Sequence, residues 1–224
     1  MTDLELVTVP GGLLRSPGSV RPVELEPFEL APVPVTEGVL AELLGLPATV
    51  RDRPATAISW LRAIRACNAA SEWEGLEPAY RMDGDEVAWD VESDGYRLPT
   101  EAEWELACRA GTTGPTYAPL GEIAWTAADG LAAPQPVGRK RPNAFGLHDL
   151  LGGVWEWCWD LADPEEDDRF RVLRGGSFAD DPRVVRATAR RAAPPRLQLE
   201  DVGFRFARGE LEPARVVQGA AVRG

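Results

Sequence analysis

The block Gly146-Leu-His-Asp-Leu-Leu-Gly-Gly-Val-Trp-Glu-Trp157 constrains the fold more than any other part of this 224-residue chain. Alternate residues of an extended segment point to opposite sides, so Trp155 and Trp157 would share one face and Glu156 would point to the other. A carboxylate buried beside such large apolar groups needs a cation or hydrogen-bond donors. The block therefore predicts a buried centre in which a metal ion or an arginine neutralises Glu156.

Three segments carry the signals of short helices. Thr36 can cap a helix over Glu37–Leu44, and Ser59 can cap a second one with apolar residues at helical spacing. Thr100 and Glu103 have the spacing of a capping box, and the helix that they begin would stop at Gly111. Short alternating runs predict strands within residues 4–9, 23–30 and 82–94. After residue 112 we expect only short apolar runs and ordered loops, because Gly and Pro interrupt the chain throughout.

The length allows one large domain or two small ones, and the lack of a dividing linker favours a single globular domain over residues 1–208, followed by a weakly structured tail over residues 209–224. The acidic run at residues 163–168 is expected to face solvent.

A net charge of −12 argues against partners that are nucleic acids or anionic membranes. The N-terminus has neither the basic start nor the apolar stretch of a secretion signal, so we expect a cytoplasmic protein. Three cysteines without metal-ligand spacing indicate buried free thiols.

Four blocks, one of them the end of the tryptophan block, occur in a specific order: Arg97-Leu-Pro-Thr-Glu-Ala-Glu-Trp104, Pro142-Asn-Ala-Phe-Gly-Leu147, Val154-Trp-Glu-Trp157 and Arg174-Gly-Gly-Ser177. In combination they resemble the formylglycine-generating enzyme (sulfatase-modifying factor) superfamily. The resemblance implies an α+β fold of the C-type-lectin-like kind that these enzymes have. Such a fold is rich in loops, with two or three short helices and short antiparallel strands.

The resemblance also implies a structural calcium ion, because oxygen-only ligation suits a hard cation. Its ligands would be the side chains of Asp149 and Glu156 with main-chain carbonyl groups of Leu151, Gly152 and Val154. The alternative is that Glu156 pairs with an arginine, such as Arg174 or Arg205.

The residues that make this fold an oxidase are missing. In formylglycine-generating enzymes two cysteines after the Gly-Gly-Ser block bind copper, which prefers sulfur ligands in its monovalent state. Asp180 and Val185 occupy the corresponding positions here, and no cysteine follows Cys158. Related enzymes use iron held by several histidines, whereas this chain has only His148. We therefore expect neither copper nor iron, and a surface or supporting role for His148.

A binding surface is predicted at Trp155 and after residue 176, next to the position of the missing site. Its residues are Trp155, Ser177, Phe178, Asp180, Asp181, Arg183, Arg186 and Arg190. The two aspartates could instead cap backbone amides in a turn. The arginines could equally form internal salt bridges that fix loops.

Three functions compete on this evidence. The first is a non-catalytic module that recognises a protein or peptide partner, and this is the function that we favour. The second is a metal-dependent oxidoreductase of the same superfamily that uses other residues, although the sequence offers no convincing ligand set. The third is a structural subunit that stabilises an enzymatic partner.

Overall fold

The computed structural model describes residues 4–16, 22–163, 165, 167–209 and 215–216. In this part of the chain a 3-10 helix covers Ala127–Asp129, and there are four α-helices, three of eight or more residues and one of a single turn. They are α1 (Glu37–Leu44), α2 (Trp60–Glu74), α3 (Glu101–Arg109) and α4 (Leu120–Ile123). None of these helices is both long and apolar enough to cross a bilayer.

The helix starts confirm the predictions from local sequence signals. The side chains of Thr36, Ser59 and Thr100 each accept a hydrogen bond from the amide three residues later. The carboxylate of Glu103 in turn accepts a hydrogen bond from the amide of Thr100, which completes the capping box. The end of α3 comes one residue before the predicted Gly111, because Ala110 already adopts the left-handed conformation that closes the helix.

Twelve short strands form four sheets within the described residues. They are β1 (Val7–Val9), β2 (Gly12–Leu14), β3 (Val23–Leu25), β4 (Phe28–Leu30), β5 (Tyr80–Asp83), β6 (Glu86–Trp89), β7 (Trp155–Asp163), β8 (Asp167–Arg174), β9 (Arg190–Ala193), β10 (Val202–Gly203), β11 (Ala207–Arg208) and β12 (Arg215–Val216). The sheet orders are β1-β4-β11, β10-β7-β8-β9, β12-β3-β2 and β5-β6. All pairs are antiparallel except β10 with β7.

The hairpin of β7 and β8 is the longest regular β structure, and it corrects the expectation of only short runs after residue 112. Strand β7 spans nine residues and β8 spans eight. The acidic run at residues 163–168 lies at the turn, where Asp163 and Glu165 are exposed as expected. Residues 164 and 166 lie outside the described part of the chain.

The C-terminal part of the domain joins segments that are distant in sequence. In the parallel pair, Val202 of β10 lies opposite Trp155 of β7, and β11 pairs with β4. The amide of Val35 donates to the carbonyl of Phe204 at 2.9 Å. Within the predicted tail, β12 pairs with β3, while residues 210–214 and 217–224 lie outside the described residues.

The core confirms the arrangement predicted for the tryptophan block. Trp155 and Trp157 belong to one cluster of buried apolar side chains, which also contains Phe204. Glu156 lies on the other side, where it contacts Trp104 of a second cluster. The chain is thus an α+β domain in which long ordered loops surround a buried carboxylate.

Candidate functional site

The buried carboxylate of Glu156 is neutralised by Arg205. Arg205 Nε donates to Glu156 Oε2 and Nη2 donates to Oε1, both at 2.7 Å, and both side chains are 0% exposed. Trp104 Nε1 donates a third hydrogen bond to Oε2 at 2.8 Å. Arg205 also donates to the carbonyl oxygens of Ala31 and His148. This bidentate pair is the alternative that the sequence left open.

Arg174, the other candidate partner of Glu156, forms its ion pairs with other residues. Its backbone lies opposite Glu156 in the β7–β8 register. Its guanidinium nevertheless binds Glu101 Oε1 at 2.8 Å and Glu105 Oε2 at 2.7 Å, both on α3. Arg174 therefore fastens α3 to the central sheet, and Arg205 is left for Glu156.

Calcium ligation by Glu156 does not fit this arrangement, because both carboxylate oxygens already accept hydrogen bonds from Arg205. The carboxylate of Asp149 accepts a hydrogen bond from the amide of Gly138 at 2.6 Å, and burial raises its pKa. Over the described ranges, no three His, Cys, Asp or Glu side chains group in a way that could hold a metal ion. Calcium bound by Asp149 with the carbonyl groups of Leu151, Gly152 and Val154 stays a prediction.

Ser177 and Asp180 form a tight turn beside the tryptophan block. Asp180 Oδ2 accepts hydrogen bonds from Ser177 N at 2.9 Å, Ser177 Oγ at 2.8 Å and Trp155 Nε1 at 2.8 Å. Asp201 Oδ2 lies 3.1 Å from the same hydroxyl, and Arg191 lies 3.9 Å from that carboxylate oxygen. Asp180 therefore has the turn-capping role that was the alternative to a binding site.

The two positions that would carry copper-binding cysteines hold side chains with structural contacts. Asp180 Oδ2 is surrounded by three donors, as described above. Val185 is 2% exposed and packs against Gly176, where an added Cβ would lie only 3.0 Å from Val185 Cγ2. These residues complete a packed turn.

The remaining sulfur and nitrogen candidates have scaffold roles. All three cysteines are buried and free. Burial raises the pKa of the Cys108 thiol to about 12 and moves the pKa values of Cys67 and Cys158 well above the ordinary range. Such thiols stay protonated at neutral pH and are poor nucleophiles and ligands. His148 is half-buried, with Nδ1 2.8 Å from the carbonyl oxygen of Lys140.

The predicted binding surface divides into a buried part and an exposed part. Trp155, Ser177 and Phe178 are 3%, 0% and 9% exposed, so the structure corrects their assignment to the surface. Asp181, Arg183 and Arg186 are exposed.

The arginines of this surface divide between the two alternatives that the sequence left open, which are an exposed binding surface and internal salt bridges. The side chain of Arg183 is 93% exposed, and its nearest carboxylate is 4.0 Å away on Asp181. Arg190 binds Glu101 at 2.8 Å and also donates to the carbonyl of Ala162. Arg183 and Arg186 therefore present positive charge to solvent, whereas Arg190 is partly internal.

Sequence reasoning missed Asp201 and Arg191, which complete the cluster around Ser177. Arg191 lies over the Trp155 ring, 5.7 Å from its centroid. The only sequence signal for Asp201 is its position next to the block Val-Gly-Phe-Arg-Phe. Their convergence depends on the parallel pairing of β10 with β7, which no local pattern specifies.

Comparison with known proteins gives a consistent set of relatives. A family model described as "Sulfatase-modifying factor enzyme 1-like domain" matches residues 2–210. "Chaperone protein LppX" of Paenibacillus barcinonensis is 30% identical, with 78% of each chain covered. "Inactive C-alpha-formylglycine-generating enzyme 2" of Bos taurus is 29% identical, with 94% of this chain and 90% of the relative covered. The solved structure "Treponema denticola variable protein 1" superimposes with a TM-score of 0.81 at 26% identity, covering 91% of this chain and 94% of that chain.

Proposed function

Because the chain belongs to the sulfatase-modifying factor (formylglycine-generating enzyme) family and has its C-type-lectin-like fold, we propose that it is a non-catalytic recognition module for a protein or peptide partner. The observation that carries the proposal is that Asp180 and Val185 occupy the two positions at which copper-binding cysteines would stand. Asp180 caps the Ser177 turn, and Val185 is packed against Gly176. The chain keeps the architecture of the family and lacks the soft ligands that the copper chemistry needs.

Two relatives support a role without oxidation. One is named inactive and another is named a chaperone protein. Their names describe those proteins, and they make binding without turnover a reasonable function for this chain.

The exposed arginines provide the surface on which we expect the partner to bind. Arg183 and Arg186 project from the loop between the Ser177 turn and β9. On a protein of net charge −12, these two arginines make a local patch of positive charge, and complementary charge directs association between proteins. An acidic segment of a partner would match them.

The oxidase assay tests the non-catalytic part of the proposal. The purified chain would be incubated with copper and a peptide containing Cys-Xaa-Pro-Xaa-Arg, alongside an active formylglycine-generating enzyme. We expect no aldehyde product by mass spectrometry from this chain, and turnover would overturn the proposal. The double variant D180C/V185C restores the missing thiols and shows whether ligand loss alone accounts for inactivity.

A second experiment tests recognition. We expect a partner to co-purify from the native host with the wild-type chain and to be lost with R183E/R186E. The variant R139E is the matched control, because Arg139 is also exposed and pairs with the surface residue Asp52. Equal recovery with all three proteins would reject the arginine surface. Recovery at a fixed ratio that resists dilution would instead favour an obligate structural subunit.

A further inference from the structure

The outer edge of strand β9 has no partner strand in the described part of the chain. Strand β9 stands last in the order β10-β7-β8-β9, so β8 covers only one of its two sides. Among the described residues, no backbone group outside β8 forms a hydrogen bond with the backbone of Arg190–Ala193. In an antiparallel pair, alternate residues direct their N–H and C=O groups away from the partner strand. Three of the four residues of β9 are exposed, so this edge offers backbone donors and acceptors to an incoming strand.

The segment that contains β9 is strongly basic. Residues 182–199 include five arginines and no acidic residue, in a chain whose net charge is −12. The five are Arg183, Arg186, Arg190, Arg191 and Arg196. Charge of one sign on a sheet edge opposes pairing with a strand of the same sign and favours one of opposite sign. The occupant that complements this edge is therefore an acidic, extended segment.

The two arginines of β9 lie on opposite faces of the sheet and are neutralised to different extents. Arg190 binds Glu101 of α3 at 2.8 Å. Arg191 lies over the Trp155 ring on the other face, and its side chain is 44% exposed. Its ion pair with Asp201 is long, at 3.9 Å, and such a pair between partly exposed groups is weak. The charge of Arg191 is thus available to an acidic side chain on the Trp155 face of an added strand.

We propose that the acidic segment of the partner binds as an additional β-strand along the outer edge of β9, with a glutamate or aspartate side chain paired with Arg191. In this binding mode the backbone hydrogen bonds supply affinity and alternate side chains supply specificity. Every second side chain of the added strand would lie on the face of Arg191, since the side chains of a strand alternate between its two faces. The segment that fits has acidic residues alternating with uncharged ones. This inference rests on the proposed function, because it states how the acidic segment expected there would bind.

The test titrates a short blocked peptide, in which glutamate alternates with valine, into the full isotope-labelled chain near neutral pH. The charge control has glutamine in place of glutamate. Two strand controls carry N-methyl groups on one or the other set of alternate amides, which keeps the charge and removes the donors from one edge of the peptide. We expect saturable shifts of the β9 amide signals with the glutamate peptide. Binding should be about tenfold weaker with the glutamine peptide, because several opposite-charge pairs are lost, and should disappear with only one of the two methylated peptides.

A variant of the chain tests the predicted charge pair. R191Q should bind the glutamate peptide about two- to fivefold more weakly, because one cross-strand pair of opposite charge is lost. The side chain of Arg191 is partly exposed and only weakly paired, so this variant is expected to fold. R139Q is the matched control, since Arg139 is exposed and pairs with Asp52, and it should bind like the wild type. Hydrogen exchange should slow on binding at alternate amides of β9.

Four results would each overturn the added strand. They are an equal effect of the two methylated peptides, equal binding of the glutamine peptide, unchanged binding by R191Q, and no binding of the glutamate peptide. The proposed function is tested separately, by the oxidase assay and by co-purification. A partner that is lost with R183E/R186E, together with a negative peptide result, would reject the strand and leave the recognition module standing.

Discussion

Replacing Glu156 with alanine tests whether the Glu156–Arg205 pair holds the centre of the fold. The carboxylate receives two hydrogen bonds from Arg205 and one from Trp104, and the pair is fully buried. The variant E156A would leave the charge of Arg205 without its counter-ion and the indole N–H of Trp104 without its acceptor. Arg205 would keep only its bonds to the carbonyl oxygens of Ala31 and His148.

The expected loss of stability follows from the burial of both groups. Removing one partner of a buried ion pair costs about 3–5 kcal/mol, since it leaves the other charge uncompensated. For a chain of this size each kcal/mol lowers the melting temperature by about 2–4 °C, so we expect a fall of roughly 10 °C. The surface pair of Arg139 with Asp52 provides the control, and D52A should cost less than about 1 kcal/mol.

The assay is urea and thermal unfolding followed by tryptophan fluorescence, for E156A, R205A and the double variant. We expect the double variant to be less destabilised than the sum of the single variants, with a coupling of about 1–3 kcal/mol. A loss below about 1 kcal/mol for E156A, or strict additivity, would refute the reasoning. Stabilisation of the wild type by added calcium that disappears in E156A would identify Glu156 as a metal ligand and refute the arginine pair.

Three further predictions concern other parts of the domain. D160N should raise the free energy of unfolding by about 1–3 kcal/mol above pH 6, since the pKa of Asp160 rises from 3.8 to about 6 on folding and the ionised carboxylate therefore destabilises the folded state. Below about pH 4 the group is protonated in both states and the gain should vanish; an equal gain at both pH values would contradict this cause. Gly175→Ala should cost about 2 kcal/mol or more in urea unfolding, because φ is +100° and the new Cβ would lie 2.6 Å from the carbonyl oxygen of Leu150, whereas Gly121→Ala, in open space, should cost little. The three cysteines should react with iodoacetamide only on unfolding, as mass spectrometry would show, and rapid labelling of the folded chain would contradict their burial and raised pKa values.

Sequence signals predicted the helices well because the signals and the structures are both local. Thr36, Ser59 and Thr100 each cap a helix through an amide only three residues away. The same is true of the turn at Ser177, whose cap is Asp180. Such interactions depend little on the rest of the fold.

The long hairpin was missed because its strands lack the alternation that marks a half-buried strand. Residues 155–158 are all buried, so both faces of β7 are covered at its start. The sequence also left open which arginine, Arg174 or Arg205, pairs with Glu156, and the reason is a different one. It depends on Glu101 and Glu105, which reach Arg174 from α3, about 70 residues away in sequence.

The position of Arg205 has a consequence for synthesis of the chain. Arg205 follows Glu156 by 49 residues, and its neighbours in β10 and β11 complete two of the sheets. At a translation rate of about 5–20 residues per second, Arg205 is synthesised roughly 2–10 s after Glu156. During that time the nascent chain holds large apolar surfaces around a carboxylate that has no arginine. The domain therefore cannot complete its core until residue 205 has been made, and a ribosome that stalls before it would leave a chain that lacks the counter-ion of Glu156 and two edge strands.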